Sequence, residues 1–170
     1  MIENKIRRIA TVYAPAQASE RVDFFTTLPR LINNNTILGI DANCVPDVTL
    51  DRRSTSTAPY SNTGATTLNS VIANLRLVDV ARESLGDTPF FTCFHGDSKT
   101  RIDQIYAPDE SGLIWSHSPI PYSMFPKPQD AIRLDHQAIR IELNLATEHR
   151  GSDIKFINEK IYDLSLIHIS

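Results

Sequence analysis

Residues 36–51 read TILGIDANCVPDVTLD. Ile37, Leu38 and Ile40, with Gly39 among them, form an apolar run too short for a helix and bounded by polar residues. That pattern predicts a buried strand. The run ends on Asp41, and Asn43 follows with only Ala42 between. Residues i and i+2 of a strand share a face, so the carboxylate and the amide are expected to project together from its end. The alternative is an Asx turn that closes the strand. What decides between them is whether other polar groups arrive at the same place.

The remaining elements follow from pattern. RIATVYAPA (8–16) reads as a strand stopping at Pro15. ERVDFFTTLPRLI (20–32) spaces Val22, Phe25, Leu28 and Leu31 at helical intervals, with Pro29 expected to kink or shorten the helix. DVTLDRRSTSTAPYSNTG (47–64) reads as a long polar loop. ATTLNSVIANL (65–75) puts Leu68, Val71, Ile72 and Leu75 on one helical stripe. RLVDV (76–80), PFFTCF (89–94), RIDQIYA (101–107) and QAIRIELNL (137–145) read as strands. In the last, Ile139, Ile141, Leu143 and Leu145 face one side, and Arg140, Glu142 and Asn144 the other. Strand, helix, strand, helix and then several strands predict an α/β layered domain with a mixed sheet. EHRGSDIKFINEK (148–160) is polar and expected to lie outside the core.

Composition sets the bounds. The 170 residues are 41% hydrophobic and 22% charged, with a formal net charge of −3. Nothing approaches the roughly 20 apolar residues of a membrane span. The N-terminus has no apolar core of the kind a signal peptide carries. Net charge gives no global attraction to nucleic acid, although a local basic strip remains open. Cys44 and Cys93 show no CxxC or zinc spacing and read as reduced structural thiols, which implies an intracellular setting.

Polar groups recur at strand ends. Asp103 interrupts an apolar strand between Ile102 and Ile105. A buried charge there needs a partner or a metal, unless the strand is an edge with Asp103 in water. Asp135 and His136 precede the last strand, as chemical groups or as a plain turn. Tyr13 is either a site phenol or a core aromatic with its hydroxyl at the surface. HGDSK (95–99) reads as a turn between strands, and Arg52 and Arg53 as a solvated loop, with phosphate contact the alternative for each. In layered α/β folds the strand ends form the ligand crevice. Three carboxylates, a histidine, an amide and a phenol there suit metal-assisted phosphate chemistry. Mg²⁺ prefers carboxylate and water ligands and polarises phosphoryl oxygens. Asp41 can take a proton from water, and a protonated His136 backed by Asp103 can hold phosphate charge.

At these residues the chain resembles the second half of the endonuclease/exonuclease/phosphatase superfamily domain, over residues 9–143. GIDAN matches its Gly-Asp-Phe-Asn block, with Ile40 inserted and Ala42 replacing the aromatic. TRID matches Ser-Arg-Ile-Asp with Thr100 for Ser, and LDH matches Ser-Asp-His with Leu134 for Ser. VYAP matches the strand of the family's active-site Tyr. DANCVPDVTLDR, LRLVDVAR and FTCFHGDSKTRID are similar to the apurinic-endonuclease-like domain of non-LTR retrotransposons, and RGSDIKFINEKIYD to the segment that follows it.

The resemblance implies a layered β-sandwich flanked by helices. Residues 1–146 would be a partial domain, and 147–170 a polar connecting segment ending in a non-native tail, LSLIHIS. The family's upstream Asn and metal-binding Glu have no counterpart, so the chain is expected to be N-terminally truncated and inactive alone. By resemblance Asp41 orients or deprotonates the attacking water, Asn43 positions the scissile phosphate, and Asp103 pairs with His136. Asp135 helps bind Mg²⁺, or Mn²⁺, and Tyr13 contacts the phosphate. The implied activity is metal-dependent hydrolysis of DNA by a target-nicking endonuclease. It would act in the nucleus, with no membrane partner, within a polyprotein carrying a downstream reverse transcriptase. A phosphodiesterase of the same superfamily on lipid or inositol phosphates, and a degenerate non-catalytic fragment, are the alternatives.

Overall fold

The computed structural model describes residues 8–57, 59–109, 114–119 and 135–143. Along the chain these form β1 (Arg8–Tyr13), α1 (Arg21–Thr27), β2 (Thr36–Asp41), α2 (Val48–Asp51), β3 (Arg52–Ser54), α3 (Ala65–Asn74) and β4 (Leu77–Asp79). Next come α4 (Val80–Leu85), β5 (Cys93–His95), β6 (Ser98–Thr100), β7 (Asp103–Pro108), β8 (Ile114–Pro119) and β9 (Ile139–Leu143). The main sheet has the order β1-β2-β7-β4. β1 and β2 run parallel, and β7 is antiparallel to both β2 and β4.

Alternation along these strands separates two faces. One face carries Leu38, Ile40 and Tyr106, which bury against Phe25 and Leu28 below and Leu68, Val71 and Ile72 of α3. The other carries Ile37, Ile105 and Ala107, which pack with Val80 of α4 and Ile141 of β9. β8 and β9 pair as an antiparallel ribbon on that side. Helices, sheet and ribbon therefore form the predicted layered α/β arrangement. Gly64 allows the helical layer to close. It starts α3 with φ of 94°, and a Cβ there would lie 2.8 Å from both Arg21 and Phe25. Among the described residues no helix is long and apolar enough to cross a membrane.

The structure corrects several expectations. The helix before β2 is phased differently: Val22 is 40% and Leu31 67% exposed, whereas Phe25, Leu28 and Ile32 are buried. Pro29 accounts for Leu31, because the chain tightens into a 3₁₀ turn at Leu28–Arg30, whereas at the start of α1 Arg21 takes the buried place beside Val22. Residues 47–64 are not simply a polar loop. Asp47 caps α2 by accepting from Thr49 and Leu50 N–H, and β3 follows. Strand β4 ends on Asp79, which caps a helix, α4, that the sequence reading lacked. The strand expected at 89–94 begins only at Cys93. The turn expected in HGDSK is observed: β5 and β6 form a hairpin around Gly96, φ 55°. Leu134, Leu145 and residues 147–170 lie outside the described residues.

The phase of the helical face is directly testable. Phe25→Ala should cost about 3–5 kcal/mol, as truncations of buried aromatic side chains do. Leu31→Ala should stay within about 0.5 kcal/mol, as exposed substitutions do. Urea unfolding of the two variants measures both, and equal losses would return Leu31 to the core.

Candidate active site

Register puts three of the expected groups in one row. Tyr13 is opposite Asp41, and Asp41 is opposite Asp103. Paired positions share a face, so Tyr13, Asp41 and Asp103 stand together at one end of the sheet, on the ribbon side. The rows beneath them on that face are Thr11, Gly39 and Ile105, then Ile9, Ile37 and Ala107. Asp103 is thus a half-buried group on a central strand. Its backbone neighbour Gln104 points the opposite way and is fully buried.

Asn43 arrives by another route than the one expected. β2 ends at Asp41, so strand alternation stops there. Asn43 adopts φ of 50° and donates its backbone N–H to Asp41 Oδ1 at 3.0 Å, which is an Asx turn. Its side-chain Nδ2 then donates to Ala14 O at 2.9 Å. The Asx turn is therefore the alternative observed, and the amide ties the ends of β1 and β2 together. Gln104 secures the same loop: its Nε2 donates to Cys44 O at 2.9 Å, and Tyr106 Oη donates to its Oε1 at 2.6 Å.

His136 comes from the far end of the described chain and is held by backbone pairing. Phe94 N–H donates to Asp135 O at 2.7 Å, and Gln137 N–H donates to Thr92 O at 2.6 Å. Cys93 and His136 form an antiparallel bridge between them. The ring then meets Asp103, with Nδ1 2.9 Å from Oδ2 and 3.2 Å from Oδ1. The bond to Asp103, with a smaller contribution from Cys93, outweighs partial burial and pushes the His136 pKa up to about 11. Near neutral pH His136 is therefore an imidazolium donating to a carboxylate. Ligand-type atoms of Asp41, Asp103 and His136 all lie within 4.8 Å of one another. Asp135 sits beside this group with a half-exposed carboxylate.

Sequence reasoning missed the residues that hold Asp103 in place. Arg101, two residues earlier, has no exposed surface. Its Nε and Nη2 donate to Asp51 at 2.7 and 3.0 Å, and its Nη1 and Nη2 to Asp79 at 3.0 and 2.7 Å. Arg82 adds a bond to Asp51 at 2.7 Å. Burial disfavours the charged guanidinium, but the bonds to Asp51 and Asp79 prevail and raise its pKa above the ordinary arginine value. Thr92 was missed too, and its hydroxyl accepts the Asp103 N–H at 3.1 Å. Arg101 was visible in the TRID block beside Asp103. Asp51 and Asp79 gave no signal beyond sitting next to short apolar runs. Cys44 and Cys93 are buried free thiols, as expected. Arg52 stacks 4.5 Å from the Tyr60 ring centroid, and Arg53 donates to Thr49 O, so both are engaged within their own segment.

The donor chemistry fits a hard divalent cation. Asp41, Asp103 and Asp135 offer oxygens, and none is so buried that an ion would have to shed its waters. His136 fits that role poorly while paired through Nδ1, so the carboxylates would hold such an ion.

No family model matches the chain, and no curated protein does. Solved structures do match. A 3'-5' exonuclease (NExo) from Neisseria meningitidis aligns with TM-score 0.64 at 15% identity, over 81% of this chain and 61% of its own. An AP endonuclease from Archaeoglobus fulgidus aligns with TM-score 0.63 at 14% identity, over 81% and 61%. The endonuclease domain of TRAS1, a telomere-specific non-LTR retrotransposon, aligns with TM-score 0.51 at 15% identity, over 82% and 56%. This chain therefore spans about three fifths of the length of the first two. It has their fold, the endonuclease/exonuclease/phosphatase fold that the sequence resemblance implied.

Asp103 is the first cause of the raised His136 pKa, so Asp103→Asn should lower it. The expected value lies near the ordinary histidine pKa of about 6.5. A pH titration of the ring nitrogens by ¹H–¹⁵N NMR, on metal-free protein, reads the change. A His136 that still titrates near its original value would remove Asp103 as the cause.

Proposed function

We propose that the domain to which this chain belongs hydrolyses phosphodiester bonds in DNA with Mg²⁺ or Mn²⁺, as a target-nicking endonuclease of the retrotransposon type. One observation carries the reading. A hydrogen-bonded pair, His136 with Asp103 at 2.9 Å, adjoins a second carboxylate, Asp41, in a cross-strand row that also holds Tyr13. In this reading a water oxygen bonds to phosphorus while its proton passes to Asp41, and the bond to the leaving oxygen breaks, that oxygen keeping the electron pair and taking a proton from solvent. The imidazolium of His136 offsets charge on the phosphoryl oxygens, and Asp103 fixes its orientation and protonation. Tyr13 contacts the phosphate from the neighbouring strand. Asn43 positions it, with its Nδ2 already committed to Ala14. A bound Mg²⁺ near Asp135 would supply Lewis-acid polarisation of the phosphate.

The similarity to nuclease folds supports a nucleic-acid substrate over lipid or inositol phosphates, and the retrotransposon endonuclease domain supports the polyprotein context. A reverse transcriptase partner and a nuclear site of action follow from that context. We read residues 1–146 as part of the catalytic domain. The family's upstream Asn and Glu have no counterpart in this chain, which spans about three fifths of the first two matched structures, and we propose that alone it is inactive.

The test is nicking of supercoiled plasmid by the chain itself and by the chain joined to an upstream half-domain carrying that Asn and Glu. Nicking is expected only from the joined protein, and only with Mg²⁺ or Mn²⁺. Asp41→Asn and His136→Ala should each lower the rate by at least ~100-fold, the scale of general-base and charge-stabilising groups. Circular dichroism controls for folding. Nicking that persists in excess chelator, or in either variant, would overturn the corresponding assignment.

A further inference from the structure

A second group of chemistry-bearing side chains adjoins the acid row. β5 places Cys93 and His95 two residues apart, hence on one face of the strand. Asp135 and His136 are paired to that strand through the Cys93–His136 bridge and the bond from Phe94 N–H to Asp135 O. Ligand-type atoms of Cys93, Asp135 and His136 lie within 4.8 Å of one another. His95 Nδ1 is 4.0 Å from Asp135 Oδ2. The cluster thus offers one sulfur, two imidazoles and one carboxylate from two backbone-paired segments. Cys93 is buried at its base, and the His95 side chain is 89% exposed at its mouth.

We propose that Cys93, His95, Asp135 and His136 form a binding site for a thiophilic divalent cation of the Zn²⁺ type. Its occupancy would compete with the phosphodiester chemistry. The donor set is mixed in the way Zn²⁺ accepts and Mg²⁺ does not. Zinc bonds of about 2.0–2.3 Å put tetrahedral ligand atoms roughly 3.3–3.8 Å apart. The ligand atoms of Cys93, Asp135 and His136 therefore need to close by about an ångström, and His95, 4.0 Å from Asp135, would be the fourth ligand to close in. Asp103, on Nδ1 of His136, is already placed as the outer carboxylate that orients a metal-bound imidazole and raises its basicity, leaving Nε2 for the ion. On binding, the Cys93 thiol proton and the His136 ring proton pass to solvent, and the sulfur and Nε2 lone pairs go to the metal. A metal-bound His136 is no longer an imidazolium, and Asp135 is no longer available to Mg²⁺. The inhibitory consequence rests on the proposed function, whereas binding itself does not.

Co²⁺, a coloured substitute for Zn²⁺, tests binding on the chain as it exists. One equivalent should bind, give a thiolate-to-cobalt charge-transfer band and be displaced by Zn²⁺ but not by excess Mg²⁺. Cys93→Ser should abolish the band. His95→Ala, at an exposed side chain that leaves the core untouched, should weaken binding by at least ~10-fold, no less than the loss of an outer-sphere partner costs. Asp23→Asn, at an exposed carboxylate of α1 on the helical layer across the sheet, should leave Co²⁺ binding within about threefold of the original, since ligand removal costs far more. No charge-transfer band, a band that survives Cys93→Ser, or unweakened binding by His95→Ala would each overturn the site. If binding behaves as described and Zn²⁺ fails to inhibit nicking by the joined protein, the metal site stands and the role assigned to His136 falls.

Discussion

Arg101 is a full positive charge with no exposed surface, and the placement of the site depends on what it meets. Desolvating such a group costs at least several kcal/mol unless its hydrogen bonds are met. Here two carboxylates meet it, each in a two-bond grip. Arg82 completes the balance, so two guanidiniums face two carboxylates. Removing one member would leave a buried charge without its counterpart. The geometry is thus fixed by the penalty for any alternative more than by the strength of the bonds.

The network links segments far apart in sequence. Asp51 ends α2, Asp79 joins β4 to α4, and Arg101 leads into β7. Arg101 also donates its backbone N–H to Asp51 O, so that junction is fixed through main chain and side chain alike. Two residues later the chain enters the main sheet with Asp103 directly opposite Asp41. A slip of one residue would send Asp103 to the helical side and expose Gln104 in its place. Gln104 resists that slip, because its side chain is bonded to the Cys44 carbonyl in the buried layer. The acid row and the polar core beneath it are thus two faces of one register.

Much of this was legible in the sequence because it is local. Residues 36–41, the stripe of α3, and the alternation of Ile139 and Ile141 against Arg140 and Glu142 all follow from periodicity. Asp41, Asp103 and His136 stood out because each breaks an apolar run or adjoins one. Burial along α1 departs from its apolar spacing at both ends, since Arg21 is buried in place of Val22 and the 3₁₀ turn at Pro29 turns Leu31 outward. The Asp51–Arg101–Asp79 network was hidden because its bonds span 50 and 22 residues, and nothing in an isolated Asp marks it as buried. Spacing between Cys44 and Cys93 carries no sign of what surrounds Cys93. Its relevant neighbours are His95, on the same strand, and Asp135 and His136, more than forty residues on.

The buried Arg101 network sets the register that joins Asp103 to His136. Arg101→Lys keeps the charge but cannot grip two carboxylates in paired bonds. The measurement is ¹H NMR of the imidazole N–H that His136 shares with Asp103, taken alongside urea unfolding. Arg101→Lys should lower the urea midpoint and abolish that resonance or move it markedly upfield. An unchanged midpoint with the His136 N–H signal in its original position would contradict it.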